Sequence, residues 1–229
     1  TLESWEGKNF KQIIILPLFP HYASATNGSV IEEAMEVIKK WWVIPELSFV
    51  SQFYSEEFYL KGFEEKGNAH DFKVYDHVLF SFHGLPERHV DKVYKDGLCK
   101  DNDCEHGIND ENVFCYKATC YETAIQLAKR FKLKEEDYTV GFQSRLGRGW
   151  IEPFSDEIIA DLAKKGAKKL LVFSPAFVAD CLETIIEIGD EYQELFEEHG
   201  GEKVQLVESL NSSDTFVHGL KEMILKRSL

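Results

Sequence analysis

Short apolar runs recur along the chain at lengths typical of buried β-strands. The pattern predicts strands at 12–16, 77–82, 139–142, 169–173 and 204–207. Most of these runs have few polar interruptions, which is typical of strands that are covered on both faces of a parallel sheet.

The segments between the predicted strands carry helical periodicity. Apolar residues recur there at helical spacing, which predicts helices at 29–41, 121–131, 155–165, 182–199 and 213–227. Two of them begin at Ser29 and Ser155, and serine caps a helix well. Strands that alternate with helices indicate βαβ units, so we expect an α/β fold with helices on both sides of a parallel sheet.

Four unusual sequences each follow directly on a predicted strand. They are PLFPHY at 17–22, HGLPERH at 83–89, QSRLGRGW at 143–150 and SPAFVADCLET at 174–184. In open α/β sheets, ligands bind outside the carboxyl ends of the strands. We therefore expect these segments to line one shared cleft.

His83 is the first polar side chain after the strand at 77–82. An imidazole titrates near neutral pH, which suits a general base or a metal ligand. A histidine that only shapes the turn explains the position equally well.

Three carboxylates recur in the helix that is predicted after the fourth strand. Asp180, Glu183 and Glu187 follow i, i+3, i+7 spacing, so we expect them on one helix face. That face is either the solvated side of an amphipathic helix or a column that carries a divalent ion or protons, because stacked carboxylates favour neutralisation. The cleft-edge position of Asp180 and Glu183 favours the column.

Trp150 and Arg145 belong to the segment QSRLGRGW, which follows the predicted strand at 139–142. An indole at a cleft mouth offers a flat stacking surface, and an arginine there can pair with carboxylates of a ligand. The alternative is a core tryptophan and a solvated arginine.

The charge balance restricts the partners. The chain has 229 residues, with 26 Lys and Arg against 40 Asp and Glu and a net charge of −14. So acidic a chain repels phosphate backbones, which argues against nucleic-acid binding. The sequence shows no apolar run of membrane-spanning length, and we expect a cytoplasmic protein.

The five cysteines are unevenly placed. Four of them follow the spacing C-x4-C-x10-C-x4-C, at Cys99, Cys104, Cys115 and Cys120, and Cys181 stands alone. In a reducing compartment such a group indicates a metal site rather than disulfides. The surrounding segment, 93–120, begins as a polar insertion without a regular pattern, and a bound metal would supply its order.

Taken together, these motifs resemble the ferrochelatase family. The matching segments are LPLFPHYASATNGS, LFSFHGLPERH, VGFQSRLGRGWIEPFSDE and FSPAFVADCLETIIEI, in this order between residues 16 and 188. The resemblance implies the chelatase fold, which has two Rossmann-like domains with parallel sheets flanked by helices. It also implies insertion of Fe(II) into protoporphyrin IX, with release of two protons, as the terminal step of haem biosynthesis.

The resemblance assigns roles to residues. His83 and Glu183 would flank the macrocycle as the catalytic pair that handles the metal and the protons. Asp180 and Glu187 would extend an acidic column, and Tyr22 and Trp150 would line the pocket. A functional site at the start of that helix also predicts a departure from α geometry there.

Family members carry a segment before the PLFPHY motif that includes a lid and groups that hold the propionates. This sequence lacks that segment, so we expect a truncated chain whose first domain is largely missing. Residues 1–40 would be the remnant of that domain, and residues 41–212 the second domain with the insertion 93–120. The helix within 213–229 would pack on the first domain.

The insertion resembles that of bacterial ferrochelatases that hold an internal [2Fe-2S] cluster. This implies a cluster on Cys99, Cys104, Cys115 and Cys120, without Cys181. Structural zinc is the alternative, since four thiolates suit either metal.

Two other functions remain open. One is a chelatase for cobalt, nickel or coproporphyrin, although the DCLET motif resembles members that act on protoporphyrin. The other is a non-enzymatic iron–sulfur redox module, which leaves His83 and the carboxylates without a role. The implied partners are a porphyrin and ferrous iron; peripheral association with the inner membrane and the oligomeric state are left open.

Overall fold

The computed structural model describes residues 2–94 and 104–228. The strands are β1 (Gln12–Ile15), β2 (Glu46–Phe49), β3 (His77–His83), β4 (Tyr138–Gln143), β5 (Lys169–Phe173) and β6 (Lys203–Leu206). The helices are α1 (Ser29–Ile38), α2 (Glu57–Gly67), α3 (Glu87–Asp91), α4 (Tyr116–Phe131), α5 (Ser155–Lys164), α6 (Tyr192–Glu198) and α7 (Asp214–Leu225). Two π-helical segments precede α1 and α6, at Ser24–Gly28 and Glu183–Glu191. Cys99 lies outside the described residues.

The larger sheet has the order β4-β3-β5-β6, and all its strands are parallel. The register pairs His83 with Gln143 and Phe80 with Phe173. The carboxyl ends of β3, β4 and β5 therefore meet at one edge, as the strand exits predict. All five predicted strands are present.

The sheet is covered on both faces, as the continuous apolar runs predict. Alternate residues of β3 face opposite ways, since Phe80 and Phe82 belong to one buried cluster and Leu79 to another. The first cluster packs against α2 and α4, through residues such as Phe63 and Leu127. The second packs against α5, the π segment at Glu183–Glu191 and α6. The α/β architecture thus follows from the pattern of the strands.

A smaller parallel sheet joins β1 to β2. Its core is formed by Ile13, Ile38 and Trp41, all buried. The strand β2 was not predicted, because its four residues ELSF are only half apolar. The predicted domain boundary at residue 40 falls between β1 and β2, so the small sheet takes in residues on both sides of it.

The C-terminal helix α7 packs mainly on α2, a helix that the sequence pattern did not predict. Phe216 of α7 lies 6.1 Å from Phe58 of α2 between ring centroids, and Thr215 Oγ1 donates to Glu65 at 2.7 Å. The helix was expected to pack on residues 1–40, but its main contacts are with α2; the hydrogen bond from Gln12 Nε2 to Arg227 O, at 2.6 Å, lies beyond the end of α7. Within the described residues, no helix has the length and apolar character that crossing a membrane requires.

Gly219→Ala should destabilise the protein by about 1–3 kcal/mol. Alanine is ordinarily favoured over glycine in a helix by about 1 kcal/mol, but a Cβ at position 219 would collide with the side chain of Phe58. Chemical denaturation measures the difference. Gly189→Ala is the control, because its Cβ would lie 3.8 Å from Thr184 O. A Gly219 variant as stable as the wild type would contradict this packing.

Candidate active site

His83 ends β3 and turns its imidazole away from the sheet. The chain leaves the strand at Gly84, whose N–H donates to Gln143 O at 2.7 Å. Any larger residue there is excluded, since a Cβ would lie 2.8 Å from the same oxygen. His83 Nδ1 lies 2.6 Å from Gly84 O. A carbonyl can only accept, so the proton of the neutral ring is on Nδ1, and Nε2 keeps its lone pair for a proton or a metal.

The imidazole lines a cavity of about 580 Å³ at the carboxyl edge of the sheet. Its walls are largely apolar and aromatic, and they include Leu18, Phe19, Leu85, Trp150 and Phe177. The ring of His83 lies 6.4 Å from that of Trp150 and 6.0 Å from that of Phe177. The predicted cleft between the strand exits is therefore present.

Glu183 lines the same cavity from the first residue of the π segment. Hydrogen bonds from the Cys181 side chain and from its own backbone N–H, with a smaller effect of the His83 charge, lower the pKa of the Glu183 carboxyl despite partial burial. Its backbone is fixed as well, because Gln143 Nε2 donates to Glu183 O at 2.8 Å. The cavity thus presents an ionised carboxylate and an imidazole together.

The helix that carries Glu183 departs from α geometry, as predicted. It is a π-helix over Glu183–Glu191, and the N–H of Tyr192 donates to Glu187 O, five residues earlier. Such segments are rare and concentrate at functional sites.

Glu187 has a structural role that the helical spacing did not reveal. Its carboxylate accepts hydrogen bonds from Ser144 N at 2.7 Å, Ser144 Oγ at 2.6 Å, Tyr192 OH at 3.1 Å and Gln143 Nε2 at 3.1 Å. Ser144 has a positive φ of 61°. Glu187 therefore holds the turn after β4 in place.

The expected single face of carboxylates is wrong. Asp180 precedes the helix, and its carboxylate accepts from Asn211 Nδ2 at 2.7 Å and from Ser209 N at 3.1 Å. These hydrogen bonds outweigh desolvation and lower the pKa of Asp180. Glu183 lines the cavity, whereas Asp180 and Glu187 are absent from its lining. The helix begins too late for the i, i+3, i+7 spacing to apply.

The three residues predicted to bind substrate lie in three different places. Trp150 lines the cavity. Tyr22 lines an adjoining cavity of about 330 Å³ and packs edge-on against Phe114 at 5.6 Å.

Arg145 does not reach the cavity. Its guanidinium pairs with Asp156 at 2.7 Å and Glu157 at 3.0 Å, and it covers the ring of Phe154 at 4.0 Å. The guanidinium therefore pairs with carboxylates in the first turn of α5, whereas the sequence predicted that it would pair with carboxylates of a ligand.

The sequence analysis did not single out two buried residues of this region, Gln143 and His21. Gln143 is fully buried and joins three strand ends, since its Oε1 accepts from Ser81 Oγ at 2.8 Å and from Ser174 Oγ at 3.1 Å. The signal was present in the sequence, because all three are polar residues at the ends of apolar strands.

His21, which lines the cavity, is the second. Burial lowers its pKa to about 3. Its Nε2 contacts Thr123 Oγ1 at 2.9 Å.

The described cysteines of the insertion are buried together. Cys104 Sγ and Cys115 Sγ are 3.7 Å apart, and a tetrahedral centre with metal–sulfur bonds of 2.3 Å separates its sulfurs by about 3.8 Å. Cys120 is buried within α4, which begins before the predicted end of the insertion. Across residues 2–94 and 104–228, no three His, Cys, Asp or Glu side chains are arranged around one metal position. Cys181 lies instead in the cavity lining.

A family model described as Ferrochelatase matches residues 1–228 of the chain. The chain belongs to the ferrochelatase family. A ferrochelatase of Ectopseudomonas mendocina is 42% identical over 224 residues, which cover 96% of this chain and 66% of that protein. A ferrochelatase of Legionella pneumophila (strain Lens) is 41% identical over 220 residues, with 96% and 66% covered. The chain thus spans slightly less than two thirds of the length of these relatives.

Two solved structures share the fold at 14% identity. SirB from Bacillus subtilis, solved with Fe3+, matches with a TM-score of 0.64 over 98% of this chain and 75% of that chain. CbiX, the terminal enzyme for siroheme biosynthesis in denitrifying bacteria, matches with a TM-score of 0.55 over 97% and 78%. The predicted chelatase fold, with parallel sheets flanked by helices, is confirmed.

Glu187→Ala should lower the free energy of unfolding by about 1.5–3 kcal/mol, because it leaves donors of the buried Gln143 and the partly buried Ser144 without a charged acceptor. Glu191→Ala, an exposed site at the end of the same π segment, is the control and should change stability by less than about 0.5 kcal/mol. Urea denaturation of the wild type and both variants measures these differences in the free energy of unfolding. Equal stabilities would show that Glu187 does not hold the turn.

Proposed function

We propose that this chain carries the metal-insertion centre of a ferrochelatase, which inserts Fe(II) into protoporphyrin IX to give protohaem with release of two protons. The observation that carries the proposal is that His83 and Glu183 line one aromatic-walled cavity. Membership of the ferrochelatase family supports it.

Metal insertion requires a base, because two pyrrole N–H protons must leave as the metal–nitrogen bonds form. The Nε2 lone pair of His83 can take one of these protons, since Nδ1–H is engaged with Gly84 O at 2.6 Å. The lowered pKa of Glu183 keeps its carboxylate charged at neutral pH. That charge attracts the ferrous ion, and as the metal–nitrogen bonds form and the ion leaves the carboxylate, the freed oxygen can receive the second proton.

The walls of the cavity suit a flat macrocycle. Trp150 and Phe177 flank His83, and Leu85 and Phe19 add apolar surface. Aromatic rings stack well on a planar conjugated ligand. The volume of about 580 Å³ lies within the usual range of small-molecule sites.

The choice of protoporphyrin IX rests on the resemblance of the DCLET segment, residues 180–184, to family members that act on it. The competing substrates are coproporphyrin, and cobalt or nickel in place of iron. Anaerobic assays of the full-length protein with each porphyrin and each metal, followed by absorbance, compare these directly. Preferential formation of protohaem supports the proposal, and preferential use of coproporphyrin or of another metal contradicts it.

We further propose that Cys99, Cys104, Cys115 and Cys120 hold a [2Fe-2S] cluster. The burial of the three described thiols and the 3.7 Å between Cys104 Sγ and Cys115 Sγ support this ligand set. When bound, such a cluster would exchange single electrons and would fasten the insertion to the start of α4.

His83→Ala should lower kcat for iron insertion at least 100-fold, in the range expected for loss of a general base, and leave the fold intact. His218→Ala, which removes an exposed imidazole on α7, should insert iron at the wild-type rate. Circular dichroism establishes folding. Near-normal iron insertion by a folded His83 variant would contradict the assignment.

Cys104→Ser should abolish the visible absorbance of the cluster and increase proteolysis within residues 93–120, because the polar insertion loses the bond that orders it. Cys181→Ser is the matched control and should retain equal amounts of iron and acid-labile sulfide. Cofactor retained in the Cys104 variant would refute the ligand set. Stoichiometric zinc without labile sulfide in the wild type would refute the cluster.

A further inference from the structure

Tyr116 connects the cysteine-bearing helix α4 to the strand that carries His83. Its hydroxyl donates to the backbone carbonyl oxygen of His83 at 2.8 Å. The side chain is only 7% exposed, and its ring lies edge-on to His21, with centroids 5.9 Å apart. The hydrogen bond is partly buried, at the wall of the cavity that His83 also lines.

This hydrogen bond fixes the orientation of one peptide unit. The carbonyl of the His83–Gly84 peptide accepts from Tyr116, and its N–H donates to Gln143 O at 2.7 Å. The next carbonyl, Gly84 O, accepts from His83 Nδ1 at 2.6 Å. Rotation of the peptide plane would move Gly84 O and with it the imidazole. Through this peptide unit, the Tyr116 hydroxyl therefore helps to fix the direction in which His83 Nε2 points.

Tyr116 is also placed between two thiols. Cys115 is the N-cap residue of α4, and Cys120 follows Tyr116 by one turn of the helix. The Cys120 side chain is a hydrogen-bonding neighbour of the Tyr116 side chain. A change in the position or ligation of either thiol would shift the first turn of α4. The Tyr116 hydroxyl would move with it, because Tyr116 is the first residue of that helix.

We propose that Tyr116 is a positioning residue for His83, and that through it the arrangement of Cys115 and Cys120 governs how the imidazole is presented to the cavity. The kinetic part rests on the proposed function, since it takes His83 as the base. The structural part, that the hydroxyl sets the environment of His83, stands without it.

The test compares Tyr116→Phe with Tyr121→Phe in the full-length protein. Tyr121 lies on the same helix, but its hydroxyl is directed to Glu105. In Tyr116→Phe, kcat for iron insertion should fall about tenfold with KM for the porphyrin unchanged, because misorientation of a catalytic group costs rate rather than binding. The ring ¹⁵N resonances of His83, assigned by their absence in His83→Ala, should shift at fixed pH. The Tyr121 variant should change neither.

The ¹⁵N comparison decides the proposal even if the wild type inserts no iron, which would refute only the proposed function. If Tyr116→Phe does not fold, Cys120→Ala takes its place, because it keeps the hydroxyl and removes the thiol beside it. Shifted His83 resonances in the variant that folds support the proposal. Unshifted His83 resonances in that variant would overturn it.

Discussion

The buried side-chain amide of Gln143 holds the candidate site together. It is fully buried, and its oxygen accepts from Ser81 and Ser174, while its nitrogen donates to Glu183 O and to the carboxylate of Glu187. Three neighbouring strand ends and the π segment are thereby joined through one planar group. A buried amide costs free energy unless it is hydrogen-bonded, so this network favours a single arrangement.

That constraint explains why two residues separated by 100 positions line one cavity. The parallel register aligns His83 with Gln143, and Gln143 in turn fixes the backbone of Glu183 at 2.8 Å. The imidazole and the carboxylate then project from a rigid edge into an apolar cavity. The neighbouring carboxylates serve this geometry: Glu187 holds the turn after β4, and Asp180 ties the preceding loop to Asn211.

The sequence predicted the main sheet well because its strands are buried on both faces and read as apolar runs. The local sequence pattern did not predict elements that are only partly buried, or contacts between residues that are far apart in the sequence. The segment EFYLKGFEEKG of α2 contains two glycines and a weak periodicity, and its apolar side chains pack against α7.

The presence of His83 and Glu183 in one cavity could be predicted, because both lie in segments that follow directly on predicted strands of the same sheet. The pairing of Arg145 with Asp156 depends on where α5 begins relative to the turn after β4, which local pattern does not determine. The helical spacing of Asp180, Glu183 and Glu187 misled because the helix starts after Asp180 and is π rather than α.

The central claim is that His83 and Glu183 work as one unit on the same metal-insertion step. A double-mutant cycle on the iron-insertion rate of the full-length protein, with His83→Ala, Glu183→Gln and the double variant, measures this directly. If the two groups act together, the second substitution should cost far less in the presence of the first, as found for groups that share a step. Full additivity of the two losses, in folded variants, would contradict the account.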